Sequence, residues 1–290
     1  MHSQKTRTSL ADWQAVEIEN PVARDLARAA LWAEQVCDGS RPVAYICGVA
    51  GVGKTHAIRQ GLQIAKAQGL APVYCNPTSY REMVDAYAEA GGKRPVVFEE
   101  ADQVFGTERM LNVLKIATDE AGPRVYSEDG KRPVKLDAPT LVASNRDLND
   151  DALFEPKLRP HIQALRSRSA PLIITAEPHS LWEYACHLAI TKGLIRQNGR
   201  GQGISLRIQN AALAWFTEHL WRLDEVSPRR LREIARGIDR YWDRAHGNWK
   251  RGGEEAWRAD LQVFLTRPSH NAPVPAIPRI ILPERLREAA

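Results

Sequence analysis

Cysteine is scarce in this sequence and follows no pattern. Its four cysteines, Cys37, Cys47, Cys75 and Cys186, include no C-x-x-C pair, and no histidine cluster has metal-ligand spacing. A reducing cytoplasm is the expected setting. Long apolar runs are missing too, so nothing approaches the length of a membrane span. The stretch Met1–Leu10 has no apolar core that would serve as a signal peptide. There are no internal repeats. Charge of one sign is not in large excess: the net value is +5, which permits nucleic-acid binding without showing it.

What is present is an ordinary globular composition, 43% hydrophobic and 26% charged over 290 residues. A chain of this length can bury a core without staples. Short apolar segments at Val43–Cys47, Val73–Cys75, Val96–Phe98, Thr140–Ala143 and Leu172–Thr175 read as buried parallel strands. Helices fit between them at 54–69, 79–90, 107–120 and 150–165. This alternation predicts an α/β fold with a doubly wound parallel sheet. Ligands of such sheets bind at the carboxyl ends of the strands. From about Pro178 the strands stop, and helices are expected at 180–192, 209–221, 228–244 and 254–265. A smaller all-α domain therefore follows the sheet. The expected divisions are an N-terminal segment with the first helix at 1–40, the α/β core at 41–178, the helical domain at 179–266 and a Pro-rich tail at 267–290.

Gly48-Val49-Ala50-Gly51-Val52-Gly53-Lys54-Thr55 fits the phosphate-loop pattern G-x-x-x-x-G-K-[ST] at every fixed position. It follows an apolar strand and opens a helix, which is the context the motif requires. Glycines let backbone N–H groups turn toward phosphates, and the helix N-terminus adds positive potential. Lys54 would reach the β- and γ-phosphates of ATP, Thr55 would offer its hydroxyl to Mg²⁺, and His56 follows in the first turn. One strand–helix unit later, Pro95–Phe98 ends in Glu99-Glu100-Ala101-Asp102. A nucleotide hydrolase needs one carboxylate near the metal and one that orients water. By position Glu99 serves the metal and Glu100 the water.

Together these residues resemble the AAA+ ATPases over about residues 15–245. Where the family's strand ends Asp-Glu, this one ends Glu99-Glu100. The resemblance implies a P-loop core with a helical lid, ATP and Mg²⁺ as cofactors, and further roles along the chain. Thr140–Asn145 looks like the sensor-1 strand, so Asn145 would hold the attacking water with Glu100. Ala164–Ser169 looks like an arginine-finger segment, with Arg168 first and Arg166 and Arg159 in reserve. Ser227-Pro-Arg229-Arg230-Leu231 looks like sensor 2, with Arg229 favoured over Arg230. A finger acting on a neighbour's γ-phosphate implies a homo-oligomer, a ring or a helical assembly, most often of six in this family. The family places the adenine pocket at Val16–Val22.

The substrate of such an engine is less defined. Gly122–Asp137 carries Asp129-Gly130, a hairpin-turn pair, between alternating segments. It resembles a presensor-1 hairpin, whose tip residues Lys131 and Arg132 would touch DNA, or else a hairpin that packs between subunits. Gly91-Gly92-Lys93-Arg94 has no aromatic to grip a polypeptide and is basic instead, which suits a phosphate backbone. Arg232, Arg236, Arg240 and Arg244 recur every four residues, as a solvated, salt-bridged face or a DNA or partner contact. Three readings follow: an ATP-driven DNA motor, loader or recombination or packaging factor, resembling small phage and mobile-element ATPases; a remodeller of a protein partner; or a small-molecule kinase.

Overall fold

The computed structural model describes residues 7, 9–67, 69–119, 121–128, 132–265, 278 and 280. The chain divides into two compact units: Asp25–Thr175, and the described residues of Met1–Arg24 with Ala176–Ala290. Two helices open it, α1 (Leu10–Glu19) and α2 (Pro21–Cys37). After α2, the unit Asp25–Thr175 contains β1 (Val43–Cys47), α3 (Lys54–Ala67), β2 (Val73–Cys75), α4 (Tyr80–Ala90), β3 (Val96–Phe98), α5 (Glu108–Ala117), β4 (Val125–Tyr126), β5 (Val134–Lys135), β6 (Thr140–Ser144), α6 (Arg159–Arg168) and β7 (Leu172–Ile173).

The sheet has five strands in the order β2-β3-β6-β1-β7, and every pair is parallel. All five residues of β1 and all five of β6 are buried, as strands covered by helices on both faces must be. The core packs Tyr45, Phe98 and Leu111 with Tyr87 and Phe105. Ser79 and Thr107 cap α4 and α5 by accepting from the Glu82 and Met110 N–H groups, which fixes where those helices start. The helix expected over 150–165 is instead a short 3₁₀ turn, Asp151–Leu153, followed by α6 from Arg159. Pro156 cannot donate an interior helix bond, whereas Pro160 sits in the first turn of α6, where no donor is needed.

The second unit is helical: α1, α7 (Pro178–His187), α8 (Leu206–Glu218), α9 (Pro228–Asp239) and α10 (Gly253–Asp260). It also contains a small hairpin, β8 (Trp242–Asp243) with β9 (Asn248–Trp249), where the sequence pattern continues α9 to residue 244. Trp242 keeps helical register with Ile238, so periodicity alone extends the helix through it. It is buried all the same, beside Trp249 at 5.0 Å between ring centroids. The division at the N-terminus differs from a separate piece over 1–40. Trp13 and Val16 of α1 are buried in the helical unit's own core, and the Trp13 carbonyl accepts from His187 Nδ1 at 2.5 Å. From Asp25 onward α2 belongs with the sheet, where Asp25 Oδ2 accepts from the Thr175 N–H and hydroxyl at 2.9 and 2.7 Å. Of the tail 267–290 only residues 278 and 280 are described, and Ile280 packs on the helical core.

Candidate functional site

The phosphate loop runs from the end of β1 into α3. Gly51 and Gly53 have φ of 74° and 115°, which an L side chain rarely adopts, so the motif's glycines are needed for the turn itself. Gly48 is closed in by Ile174, whose Cβ would lie 2.9 Å from an added methyl. Val52 is fully buried and anchors the loop, while Thr55 and His56 are exposed in the first turn of α3. Val49 and Ala50 span the outer part of the loop. Lys54 is buried, and its Nζ donates to the Gly48 and Val49 carbonyls at 2.6 and 2.9 Å and to Asn145 Oδ1 at 2.8 Å.

Asn145 follows β6, the strand between β3 and β1. Its Nδ2 donates to Asp102 Oδ2 at 2.8 Å, and its N–H donates to Asp102 Oδ1 at 2.7 Å. The Ser144 hydroxyl donates to the same Oδ1 at 2.6 Å. Burial alone would raise the Asp102 carboxyl. Hydrogen bonds from Ser144, Asn145 and the Arg146 backbone outweigh it and hold the carboxyl below the usual aspartate value. A chain Lys54–Asn145–Asp102 thus joins three sheet-end segments. Asp102 is a residue that sequence reasoning left without a role.

Glu99 and Glu100 leave β3 in different states. Glu99 is mostly buried; its Oε2 accepts from Arg59 Nη2 at 3.1 Å, and its Oε1 is buried with no hydrogen-bond partner. That orphaned oxygen is the hard donor Mg²⁺ takes, so the residues present fit the metal. Glu100 is exposed and left-handed, at φ 49° and ψ 40°, the one non-glycine with positive φ among the described residues. Such a conformation costs roughly 1–2 kcal/mol, and strain of this kind concentrates at functional positions.

The arginines separate by partner. Arg168, at the end of α6, donates to the Lys115 carbonyl and to Thr118 Oγ1, and pairs loosely with Asp119 at 3.6 Å. Arg166 is tied to Asp151, and Arg159 donates to the Phe154 carbonyl at 3.2 Å. Arg230 meets Asp224 at 3.0 Å, Glu225 at 3.8 Å and Glu233 at 2.6 Å, and lies 4.5 Å over the Phe264 ring. Arg229, its neighbour, is exposed and makes no side-chain pairing among the described residues. The helical unit therefore consumes Arg230 and leaves Arg229 available.

The hairpin pairs Val125 with Lys135 and Tyr126 with Val134, antiparallel. The expected turn at Asp129-Gly130 and the tip residue Lys131 lie outside the described residues. The hairpin's base packs on α4: the Tyr80 hydroxyl donates to Glu128 at 2.8 Å, and the Tyr80 and Tyr126 rings are 6.1 Å apart. Arg132 lines the small cleft between them with Arg81 and Asp85. Lys93 is exposed, but Arg94 is committed to the Ala71 carbonyl at 2.7 Å and to Glu89 at 3.2 Å.

Among the described residues no group of three or more His, Cys, Asp or Glu is placed to hold a metal ion, and no helix is long and apolar enough to cross a membrane. No protein-family model and no curated protein matches the chain. Solved structures do. The Aeropyrum pernix Orc1 protein, in complex with DNA, is similar at a TM-score of 0.50 and 16% identity, over 90% of this chain and 71% of that one. The likeness is one of fold: a parallel α/β core and a helical unit. A Thermotoga maritima RuvB variant matches at 0.49 and 13% identity over 89% and 73%. NtrX from Brucella abortus matches at 0.44 and 16% identity over 73% of this chain, which spans half of the NtrX chain.

Proposed function

We propose that the protein hydrolyses ATP at interfaces between its own subunits and uses the reaction to remodel DNA as a motor, loader or recombination or packaging factor. The observation that carries the hydrolase reading is the bonded chain from Lys54 through Asn145 to Asp102. It puts the phosphate-loop lysine and the sensor amide within hydrogen-bond reach of one another, beside the strand that ends in Glu99-Glu100. Lys54 exchanges its loop carbonyls for the β- and γ-phosphate oxygens. Glu100, on its strained turn, accepts the proton of the attacking water, and Asn145 holds that water in line. Thr55 and Glu99 would hold Mg²⁺, which when bound neutralises charge on the phosphate oxygens. Arg229 is the free lid cation for the γ-phosphate.

Arg168 is the proposed finger for a neighbouring subunit. Its partly exposed pair with Asp119 is worth under about 1 kcal/mol, a small cost against a phosphate contact. DNA contact falls to Lys131, Arg132 and Lys93, with Arg94 already engaged. The fold shared with Orc1, which is seen in complex with DNA, is compatible with this reading.

The test is steady-state ATP hydrolysis with and without single- and double-stranded DNA, with Lys54→Ala as the blank. Several-fold stimulation by DNA supports the reading. Hydrolysis indifferent to DNA moves the function to a protein partner, and phosphate transfer to a metabolite instead of water makes it a kinase. Arg168→Ala subunits mixed with Lys54→Ala subunits should regain activity if the site is shared; no rescue at any ratio refutes a finger acting in trans.

A further inference from the structure

Helix α9 carries arginines that its own fold does not neutralise. Arg229, Arg232, Arg236 and Arg240 fall at i, i+3, i+7 and i+11 and so form one stripe, opposite the buried Leu231, Ile234, Ala235 and Ile238. The helix has two acids, and both are taken by residues off the stripe. Glu233 accepts from Arg230 at 2.6 Å; Asp239 accepts from Asn198 Nδ2 at 3.0 Å and from Arg244 Nη2 at 2.5 Å. Among the described residues no side chain donates to, accepts from or pairs with the stripe guanidiniums.

Two further observations show that the stripe's charge is not offset by its surroundings. Arg236 Nε is buried without a hydrogen-bond partner. Arg232 is held below the usual guanidinium value, first by partial burial and then by the like charge of Arg236 one turn away. The turn beside them is open at Gly199, where an added methyl would stand 3.9 Å from Arg236 Cζ, and it presents the exposed Arg200. Asn198 fastens that turn to Asp239, so the surface is fixed in place.

We propose that Arg232, Arg236 and Arg240, on the helical unit's own surface, bind the phosphodiester backbone of DNA. Arg229 heads the same stripe and is kept for ATP. The proposal rests on the DNA reading above. From Arg232 to Arg240 the helix rises about 12 Å, which spans three to four phosphates of one strand at roughly 3.4 Å each. A planar guanidinium takes phosphate in a two-pronged contact. Such contacts carry no base information, so the stripe positions DNA without reading sequence.

The experiment is fluorescence anisotropy of labelled single- and double-stranded DNA across about 50–200 mM salt. Wild type is compared with Arg232→Gln/Arg236→Gln/Arg240→Gln and with the corresponding triple lysine variant. Each phosphate contact contributes about 0.7–0.9 to the slope of log affinity against log salt. The glutamine triple should therefore lose about 2–3 in slope and on the order of 100-fold in affinity near 100 mM salt. The lysine triple should keep most of both, and basal hydrolysis should be unchanged in each. If the glutamine triple does not fold, Arg232→Gln alone should lower the slope by about 0.7–0.9. Wild-type binding with an undiminished slope in the glutamine variants overturns the stripe and leaves the DNA reading standing. No DNA binding by wild type overturns both. Displacement of DNA by polyglutamate of equal charge and concentration assigns the stripe to acidic proteins and overturns the assignment to DNA.

Discussion

Replacing Asp102 with asparagine tests whether the sensor amide must be held from behind. Asp102 accepts from Ser144 Oγ, from the Asn145 N–H and from Asn145 Nδ2, at 2.6, 2.7 and 2.8 Å. An asparagine at 102 has one acceptor oxygen and one donor NH₂. Whichever way it turns, an N–H faces an N–H or a hydroxyl that now donates to nothing. Hydrogen bonds to a charged group contribute about 1.5–3 kcal/mol. Asp102 is partly exposed, so the loss of fold stability is discounted to about 1 kcal/mol. The effect on turnover should be larger than stability suggests, because Asn145 loses the contact that aims its amide. A loss of about 1.4–2.7 kcal/mol in the transition state is 10- to 100-fold in kcat. Nucleotide affinity should move little, since Lys54 and the loop glycines proposed to meet the phosphates are unchanged. The assay is steady-state hydrolysis beside equilibrium binding of a fluorescent nucleotide. Wild-type kcat in Asp102→Asn, with kcat abolished in Asn145→Ala, would refute the reasoning, because Asn145 would then work without its support.

Glu100→Gln should abolish hydrolysis while keeping the left-handed turn, whereas Glu100→Gly should abolish hydrolysis and raise stability by up to about 1 kcal/mol; equal melting temperatures for the two variants would show that no strain is stored there. Arg230→Ala should destabilise the helical unit by about 2–3 kcal/mol, because three acids lose their shared cation. Arg229→Ala should leave thermal unfolding unchanged and slow hydrolysis; the reverse pattern would exchange their roles. His187 is buried, and burial lowers its pKa below the ordinary value, so its folded state favours the neutral ring. Its contribution is intact above about pH 6.5, the unfolded value, and is lost as pH falls through the lower folded pKa; a melting temperature flat between pH 7 and 5 would contradict this. Gly61→Ala gains about 1 kcal/mol in helix propensity, but its Cβ would lie 2.1 Å from the Ala30 carbonyl oxygen of α2. Overlap with backbone should win, at about 1–3 kcal/mol of net destabilisation by chemical denaturation; a stabilised variant would show that α2 and α3 can separate freely.

The phosphate loop was legible because its chemistry is contiguous: glycines, lysine and threonine sit in one run between a strand and a helix. The pairing of Arg230 with three acids was not legible. Adjacent helix positions differ by about 100°, so the sequence says only that Arg229 and Arg230 face different ways, and Asp224, Glu225 and Glu233 meet Arg230. Asp102 was not legible. Two residues past Glu100, it reads as part of a solvated acidic turn, and its role exists only because β3 and β6 are neighbours. The break at Pro156 was available in the sequence, but Phe154, Leu158, Ile162 and Leu165 kept a helical period across it. The same error ran α9 through Trp242, since a hairpin's buried tryptophan fell on the helix's own register. The stripe arginines were visible as a pattern, but whether acids neutralised them depended on Asn198 and Arg244 reaching Asp239 from outside the helix.

The strand order β3-β6-β1 determines how Asn145 is held between Lys54 and Asp102. An amide can be built either way round, but Asn145 cannot. Lys54 can only donate and an ionised Asp102 can only accept, so Oδ1 must face the lysine and Nδ2 the carboxylate. The low pKa of Asp102 keeps that assignment through the physiological range. On the proposed reading, when the γ-phosphate takes Lys54, Asn145 Oδ1 loses its donor while Nδ2 stays fastened to Asp102. The freed oxygen is then an unpaired acceptor beside the reacting phosphate, and a water O–H is the group that satisfies it. On the proposed reading, loading of the nucleotide would thus create the water-holding position.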